Sequence, residues 1–463
     1  MSRELIKGKV TVIGAARSGL AAAKLLKSQG AQVFVSDKEL AQKLSATGGS
    51  AFGGTSPIQT LKSAQVPFET GGHTDRVYDC SLMVISPGVP SDAPVVVEAQ
   101  KRGIKVVSEL EFASWFCKAP IVAVTGSNGK TTTATLLGRI FEHAKKECVV
   151  AGNIGAAFSN FVLDLDQAAV AIVEVSSFQL DHIETFRPKT AVILNITPDH
   201  LDRYGKSFEN YIASKRRVFE NQTMDDCLIY NFDDPVTGVE VRKHAASHVR
   251  LLPFSVKTEL DEGVYVANGR VTMVESGRVE DVIVAREISI KGIHNLYNSM
   301  AAALASRVMG VPMEAIRETL KTFAGVEHRL EFVRELNGVK YVNDSKATNV
   351  DSVWYALHSF EEPLIVLMGG RDKGNDYSRL SDLVRERVKA IIAIGESADK
   401  VFEVFRNITK VEKAQSMEEA VWKAAALAAR GTVVLLSPAC TSFDWFENFE
   451  HRGRVFKEIV HKL

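Results

Sequence analysis

The sequence of 463 residues has little of what several classes of protein require. Its five cysteines (Cys80, Cys117, Cys148, Cys227 and Cys440) are scattered and include no C-x-x-C pair. That pattern argues against a disulfide framework or a cysteine zinc site and is typical of a reducing cytoplasm. Lys plus Arg and Asp plus Glu are equal at 56 each, so no excess of positive charge indicates a nucleic-acid partner. No apolar run reaches membrane-spanning length, and the first residues lack a secretory signal pattern, so we expect no membrane insertion.

The sequence does have the length and the apolar content for several packed domains. At roughly 150 residues per domain, about three domains are expected. Long apolar strands that alternate with helices predict an α/β fold with parallel sheets. We expect a Rossmann-like domain over residues 1–110, a central P-loop ATPase-like domain over residues 111–325 and a C-terminal Rossmann-like domain over residues 326–463. Short alternating strands with turn signals at Asn268-Gly269 and Ser276-Gly277 predict a small β appendage on the central domain.

One stretch of the central segment has the pattern of a phosphate-binding loop. Residues 121–125 predict a buried strand, residues 126–129 form a glycine-rich turn, and Lys130-Thr131 begin a helix. Backbone N–H groups and the helix dipole at such a junction attract phosphate, the lysine adds positive charge, and the threonine hydroxyl can bind Mg²⁺. The usual pattern G-x-x-x-x-G-K-[ST] has its first glycine where this sequence has Val124, so the loop is a shortened variant. A glycine turn with a surface lysine is the alternative.

Three ionisable residues of the same segment are candidates for metal or phosphate chemistry. Glu174 lies near the end of an apolar strand and His200 follows the next strand, where ligands of parallel sheets bind. A buried carboxylate is costly unless it is paired or binds a metal. Lys215 completes an apolar helical stripe, so burial should lower its pKa, and a neutral amine can add CO₂ to become a metal-binding carbamate. The alternatives are a structural ion pair for Glu174, an ordinary loop histidine for His200 and a snorkelling lysine for Lys215.

The first segment has a weaker nucleotide-binding pattern. A βαβ unit ends its second strand at Asp37, as dinucleotide-binding folds do, but Ala16 stands at the middle glycine of G-x-G-x-x-G. That glycine lets the backbone approach a pyrophosphate, so its absence argues against NAD. A nucleotide held by its base and ribose stays open, and Gly88, in a Pro-Gly turn after another strand, could admit a phosphate.

The last part of the chain offers amides and lysines at element ends. Asn295 and Asn298 lie in the first turns of an Ala-rich helix, where their amides could bind adenine or simply cap the helix. Lys346 and Lys373 lie on polar loops that follow predicted strands. Such lysines are often just solvated, but loops at strand ends also carry function.

Taken together, these stretches resemble the Mur ligase family over essentially the whole chain. The matching residues are 125–131, 152–155, 174–179, 197–202, 211–215, 294–295, 328–329, 343–349 and 369–374. The resemblance implies an ATP-dependent amide ligase of peptidoglycan synthesis in the cytoplasm, working through an acyl phosphate and a tetrahedral intermediate. Residues 176–179, 343–349 and 436–442 favour a member whose substrates are ATP, UDP-N-acetylmuramoyl-L-alanine and D-glutamate. We expect these small molecules as the partners of a monomer.

The resemblance also implies a role for individual residues. The catalytic set is Lys130, Glu174, His200, Lys215 and Lys346. The nucleotide contacts are Gly126, Ser127, Asn128, Gly129, Lys130, Thr131, Thr132, Asn295, Asn298, Arg329 and Asp344. Two Mg²⁺ sites are expected, with ligands Thr131, Glu174, His200 and a carbamylated Lys215. The uridine contacts are Arg17, Ser18, Asp37 and Lys38, with Gly88 and Asn153 at the diphosphate. The D-glutamate contacts are Thr348, Lys373, Ser442 and backbone donors near Phe449.

Three alternative functions stay open from the sequence. The first is another amide ligase of the family, including folylpolyglutamate synthase. The second is a P-loop kinase or ATPase that performs no ligation. The third is a regulator that binds a nucleotide without hydrolysing it, which the combination of Lys130, Glu174, His200 and Lys215 argues against.

Overall fold

The structure is a computed structural model that describes residues 6–46, 56–245, 249–372 and 374–463. It has the predicted α/β architecture, with three sheets. The chain divides into two compact units, Met1–Glu287 with Tyr297–Lys321, and Ile288–Leu296 with Thr322–Leu463. The first two sheets belong to the first unit and the third sheet to the second unit. The domain limits at residues 110 and 325 stay a prediction.

The first sheet is parallel, with the strand order β3-β2-β1-β4-β5. Its strands are β1 (Lys9–Ile13), β2 (Gln32–Asp37), β3 (Phe68–Thr70), β4 (Leu82–Ile85) and β5 (Lys105–Ser108). The helices of this segment are α1 (Arg17–Ser28), α2 (Ala41–Ala46), α3 (Pro57–Ser63), α4 (Pro94–Lys101) and α5 (Glu109–Ser114). The strand order reverses between β1 and β4, so a crevice opens at their carboxyl ends.

The central sheet has nine strands in the order β14-β13-β12-β11-β10-β9-β6-β8-β7. They are β6 (Ile121–Thr125), β7 (Cys148–Gly152), β8 (Val170–Glu174), β9 (Thr190–Ile193), β10 (Cys227–Asn231), β11 (Arg250–Ser255), β12 (Gly263–Ala267), β13 (Arg270–Glu275) and β14 (Arg278–Val284). The helices are α6 (Lys130–His143), α7 (Ser177–Leu180), α8 (Phe208–Arg216), α9 (Pro235–His244), α10 (Ile293–Val308) and α11 (Met313–Thr322). Strand β6 pairs in parallel with β8 and β9, and all five of its residues are buried.

The predicted small β appendage is the antiparallel end of the central sheet. Strands β10, β11 and β12 continue the parallel pairing, whereas β12–β13 and β13–β14 are antiparallel hairpins. Both predicted turns are confirmed, because Asn268-Gly269 and Ser276-Gly277 have positive φ at both residues. That conformation matches the right-handed twist of the flanking strands. The sheet is continuous because β10 is buried along its whole length and needs a neighbour on each side.

The third sheet has six strands in the order β15-β16-β20-β17-β18-β19. They are β15 (Glu331–Leu336), β16 (Val339–Asn343), β17 (Leu364–Gly369), β18 (Val388–Ile394), β19 (Lys410–Lys413) and β20 (Val433–Leu436). The helices are α12 (Val350–His358), α13 (Ser381–Arg387), α14 (Ala398–Phe405), α15 (Met417–Leu427) and α16 (Phe449–Lys462). Strands β16, β20 and β17 are parallel neighbours, so the loops at their carboxyl ends lie side by side. Alternate residues of β17 pack into separate apolar clusters on the two faces.

Two observations bear on the expectations from composition. All five cysteines are free thiols. Among the described residues, the helices are too short or too polar to cross a bilayer.

Candidate active site

The glycine-rich turn joins β6 to α6 as predicted, and its glycines have a structural reason. Gly126 and Gly129 have φ values of 151° and 87°, which L side chains rarely adopt. Gly129 also caps α6, and a Cβ there would overlap Oδ1 of Asn298 on α10. The turn therefore lies directly against Asn298, one of the predicted nucleotide contacts.

The segment that follows β9 and a tyrosine of α8 hold this turn in place. The Asn128 N–H donates to Oδ1 of Asn195 at 2.9 Å, and Nδ2 of Asn195 donates to the Asn128 carbonyl at 3.1 Å. Oγ of Ser127 donates to the Thr197 carbonyl at 2.7 Å and lies 3.0 Å from the Tyr211 hydroxyl. These bonds fix the turn before a ligand binds, which lowers the entropic cost of binding phosphate.

Two lysines meet at one carbonyl oxygen of the turn. Nζ of Lys130 donates to the carbonyls of Gly126 and Ser127 at 2.7 and 2.8 Å, and Nζ of Lys215 donates to the same Gly126 carbonyl at 2.8 Å. Lys215 is only 1% exposed. Burial and the positive charge of Lys130 hold the pKa of Lys215 well below its usual value. The snorkelling alternative is wrong, because this amine is enclosed in the protein.

Glu174 ends strand β8 as a buried carboxylate with one unused oxygen. It pairs in register with Val124 of β6, so it lies beside the phosphate loop. Oε1 accepts a hydrogen bond from Nδ2 of Asn153 at 3.1 Å. Oε2 is buried and has no hydrogen-bond partner among the described residues. A buried carboxylate oxygen without a donor is costly, so this atom fits a bound cation.

His200 lies on the loop after β9 and is exposed. Its φ is 52°, and its ring packs edge-on against Phe178 with a centroid distance of 5.6 Å. No cluster of His, Cys, Asp and Glu ligand atoms among the described residues includes Glu174 and His200. Among the described residues, ligand atoms of this kind do lie close together at Glu327, His328 and Glu331. There, Nζ of Lys457 lies 2.6 Å and 2.8 Å from the two carboxylates, and it already balances their charge.

A cleft of about 770 Å³ occupies the crevice at the carboxyl ends of β1 and β4. It brings together every predicted contact of the uridine diphosphate, namely Arg17, Ser18, Asp37, Lys38, Gly88 and Asn153. Nη1 of Arg17 donates to the Gly155 carbonyl at 2.7 Å. The Asp37 carboxylate accepts from the N–H groups of Ala15 and Glu39 at 2.6 and 2.8 Å. The turn that lacks the middle glycine is thus shaped by Asp37.

Two cleft features were not predicted from the sequence. The imidazole of His73 lines the cleft, with Nδ1 2.7 Å from Oγ of Ser36, and burial lowers its pKa. The guanidinium of Arg203 donates to the carbonyls of Pro87 and Gly88 at 2.9 and 2.8 Å. Because Arg203 follows His200 on the loop after β9, it ties the Pro-Gly turn of the first sheet to the central sheet. A lone histidine and a loop arginine have no sequence pattern that would have revealed these contacts.

In the second unit, Asp344 and Arg329 are neighbours. Burial raises the pKa of Asp344 to about 7, although the nearby Arg329 charge and the Ser437 hydroxyl act in the opposite direction. Oδ2 of Asp344 accepts from Oγ of Ser437 at 2.9 Å. Nε of Arg329 is buried without a partner among the described residues. Nδ2 of Asn295 donates to the Lys291 carbonyl at 2.8 Å, a bond to the chain just before α10.

Two of the predicted acceptor contacts, Thr348 and Ser442, lie on the loops that follow strands β16 and β20. Ser442 is buried and Thr348 is half-buried. Nζ of Lys346 lies 5.3 Å from the centroid of the Phe449 ring, so this lysine is not simply solvated. Lys373 lies outside the described residues, so its contacts stay a prediction.

Comparisons with known proteins match three segments of this chain to one family. Residues 9–95 match the MurD N-terminal domain, residues 124–306 the Mur ligase middle domain, and residues 328–440 the Mur ligase glutamate ligase domain. A UDP-N-acetylmuramoylalanine–D-glutamate ligase from Salinibacter ruber is 46% identical over 99% of both chains. A protein of that name from Chloroherpeton thalassium is 44% identical over 100% of both chains. The chain belongs to the Mur ligase family.

Solved structures share the fold at much lower identity. A pseudomurein peptide ligase type C from Methanothermus fervidus has a TM-score of 0.60 at 20% identity and covers 98% of this chain and 99% of its own. A UDP-N-acetylmuramate–alanine ligase from Thermotoga maritima has a TM-score of 0.60 at 18% identity with the same coverage. At these identities the match establishes the α/β fold with its three sheets.

Proposed function

We propose that the chain is an ATP-dependent ligase that joins the L-alanine carboxylate of UDP-N-acetylmuramoyl-L-alanine to the amine of D-glutamate in peptidoglycan synthesis. The observation that carries this proposal is the position of Asn153. Asn153 lines the cleft that contains the predicted uridine diphosphate contacts. Its side-chain amide donates to Glu174, which lies beside the phosphate loop. A substrate held in that cleft can therefore extend its carboxylate toward the phosphate of ATP, as acyl phosphorylation requires.

The residues of the phosphate loop suit transfer between two anions. N–H groups at the start of α6 and the charge of Lys130 would bind the β- and γ-phosphates, which replace the carbonyls of Gly126 and Ser127 as partners of the lysine. The γ-phosphoryl group passes to the carboxylate, giving an acyl phosphate and ADP. The amine of D-glutamate attacks the acyl carbon, and the tetrahedral intermediate expels phosphate to leave the amide.

Mg²⁺ supplies charge neutralisation during phosphoryl transfer, and the donor set fits it in part. Thr131 would hold one ion; Glu174 and His200 would hold a second, together with Lys215 once it is carbamylated. The unpartnered Oε2 of Glu174 supports this assignment. An ammonium at Lys215 would repel a cation. The neutral amine adds to the carbon of CO₂ with loss of a proton, which converts that position to an anion.

The remaining roles follow from the family resemblance. Asn295, Asn298, Arg329 and Asp344 would contact the nucleotide. Lys346 would stabilise the transferring phosphoryl group. Thr348, Lys373, Ser442 and backbone donors near Phe449 would hold the carboxylates of D-glutamate, because hydroxyls and a cation provide charge-assisted bonds. A cytoplasmic monomer stays our expectation.

Mass detection of the product tests this function. Purified protein is incubated with ATP, UDP-N-acetylmuramoyl-L-alanine and each member of a panel of D- and L-amino acids. We expect an amide product with D-glutamate alone, formed with equal amounts of ADP and phosphate. Lys130→Ala should abolish the product, and Lys146→Ala, which removes an exposed lysine of the same unit, should not. ADP formation that needs no amino acid would favour an ATPase, and a product with another amino acid would favour another ligase.

A further inference from the structure

Arg452 is a buried arginine that the mechanism above does not use. It is the fourth residue of α16, and its side chain is 1% exposed. It makes no salt bridge with a carboxylate of the described residues, although the charges of Asp444 and Asp344 act on it from a greater distance. Burial of an unpaired cation is costly, and a positive charge in the first turn of a helix opposes the helix dipole. Packing alone does not account for an arginine at this place.

The guanidinium connects two loops of the third sheet. Nε donates to Oγ of Ser345 at 2.9 Å, and Nη2 donates to the carbonyls of Ser345 and Cys440 at 2.7 and 3.0 Å. Oγ of Ser345 in turn donates to the carbonyl of Phe449 at 2.8 Å. The loop after β16, the loop after β20 and the start of α16 are therefore held by one side chain.

The remaining nitrogen, Nη1, faces a third loop. It is buried and has no hydrogen-bond partner among the described residues. It lies 3.2 Å from the position that a Cβ would take at Gly370, in the loop after β17. Gly370 has a φ of 142°, so a side chain would be strained there as well as crowded. Thus the loops of three adjacent parallel strands surround a single guanidinium.

These loops carry the residues that the proposed function assigns to the acceptor. Thr348 follows Ser345 in one loop, Ser442 follows Cys440 in the second, and Lys373 follows Gly370 in the third, with Phe449 at the first position of α16. Burial lowers the pKa of Arg452 to about 10, so the side chain is still charged at neutral pH. The charges of Asp444 and Asp344 act on this guanidinium without forming a salt bridge with it. A charge that is balanced only in part stabilises an anion nearby, and D-glutamate brings two carboxylates.

We propose that Arg452 is a positioning residue of the acceptor site. It aligns the three loops that bind the acceptor, and it supplies positive charge that the carboxylates of the acceptor balance. It acts through Ser345 and the loop backbones, since its free nitrogen is enclosed. The inference rests on the proposed function, because it requires an anionic acceptor at these loops.

The test is steady-state kinetics of the full-length protein with D-glutamate and ATP varied separately. Arg452→Met removes the charge and the hydrogen-bond donors. Arg452→Lys keeps the charge but loses the planar, forked arrangement of guanidinium donors. Arg454→Met removes an exposed arginine two residues along the same helix and is the control. We expect Arg452→Met to raise the KM for D-glutamate about tenfold or more, with the KM for ATP nearly unchanged. Arg452→Lys should recover part of that loss, and Arg454→Met should behave like the native protein.

The outcomes separate this inference from the function on which it rests. No product from the native protein with D-glutamate overturns both. A native D-glutamate KM in Arg452→Met, or an equal rise of both KM values, overturns only the role of Arg452. If Arg452→Met does not fold, as a thermal unfolding scan would show, Arg452→Lys decides the question. A native D-glutamate KM for that variant contradicts the need for the forked guanidinium.

Discussion

At the scale of the residue, Lys215 carries the most specific chemical prediction. Its amine is buried against Lys130 and the Gly126 carbonyl, which lowers its pKa and so favours the neutral form that adds CO₂. We expect a carbamate carbon to appear in the NMR spectrum of protein equilibrated with ¹³C-bicarbonate and to be absent from Lys215→Ala. That variant should lose ligation while it still binds ATP. Full activity after rigorous removal of CO₂ would contradict the assignment.

Asp344 gives a prediction for the pH dependence of stability. Its folded pKa of about 7 lies above its ordinary value of 3.8. Between these values the folded state binds the proton and the unfolded chain does not, so stability falls as pH rises through this window. Asp344→Asn removes the cost of ionising this buried carboxyl. It also removes the attraction between the carboxylate and the positive charges of Arg329 and Arg452. We expect the melting temperature of Asp344→Asn, relative to the native protein, to be higher at about pH 8.5 than at about pH 6. If the difference in melting temperature between the variant and the native protein does not change with pH, the pKa of Asp344 is not raised.

Two buried cations, Lys215 and Arg452, each complete an apolar stripe on a helix, but only Lys215 was singled out from the sequence. Lys215 was predicted because it completes an apolar stripe on its helix, and the structure confirms its burial. Arg452 completes a stripe of the same kind with Phe456, Ile459 and Val460 on α16. It was missed because arginines on amphipathic helices usually keep their heads in water. The unused Oε2 of Glu174 has no sequence signal at all, since it depends on which side chains reach it.

At the scale of the element, the phosphate loop depends on a glycine that also touches a neighbouring helix. Gly129→Ala would be strained by its φ of 87° and would overlap Asn298. Gly269→Ala, in the β12–β13 turn, has a φ of 73° but open space around its Cβ. We expect Gly269→Ala to lose about 1–2 kcal/mol in the free energy of unfolding without loss of ATP binding. Gly129→Ala should lose more and should bind ATP weakly. Denaturant unfolding measures the free energy of unfolding, and calorimetry measures ATP binding. Equal losses of stability in the two variants, with normal ATP binding by Gly129→Ala, would contradict the close approach of Gly129 to Asn298.

Strands, turns and helix starts could be predicted from local sequence, whereas the extent of the central sheet could not. The strand of residues 121–125, the hairpin turns and the helix at Lys130 are confirmed because apolar runs, glycines and β-branched residues determine them locally. The parallel pairing of β10, β11 and β12 depends on neighbours distant in sequence. A run of short strands therefore predicted an appendage but did not show that it continues the sheet.

At the scale of the whole molecule, Lys373, which lies outside the described residues, is the predicted cation for the D-glutamate acceptor. Its predicted role gives a simple expectation. Lys373→Ala should raise the KM for D-glutamate roughly ten- to a hundredfold, since one charge-assisted bond is worth about 1.5–3 kcal/mol. The KM for ATP should change little. Kinetics with both substrates measure this, and Lys389→Ala, an exposed lysine on β18, is the control. An equal change in the two KM values would contradict the placement of Lys373 at the acceptor.

The transfer of oxygen between substrates tests the central claim most directly. UDP-N-acetylmuramoyl-L-alanine labelled with ¹⁸O in its alanine carboxylate is ligated to D-glutamate, and the phosphate and nucleotide products are analysed by mass spectrometry. An acyl phosphate passes one carboxylate oxygen to the phosphoryl group, so we expect a single ¹⁸O in the released inorganic phosphate, with ADP unlabelled. Label in AMP would reveal an acyl adenylate. Unlabelled phosphate with full product formation would contradict the acyl-phosphate mechanism on which the site assignment rests.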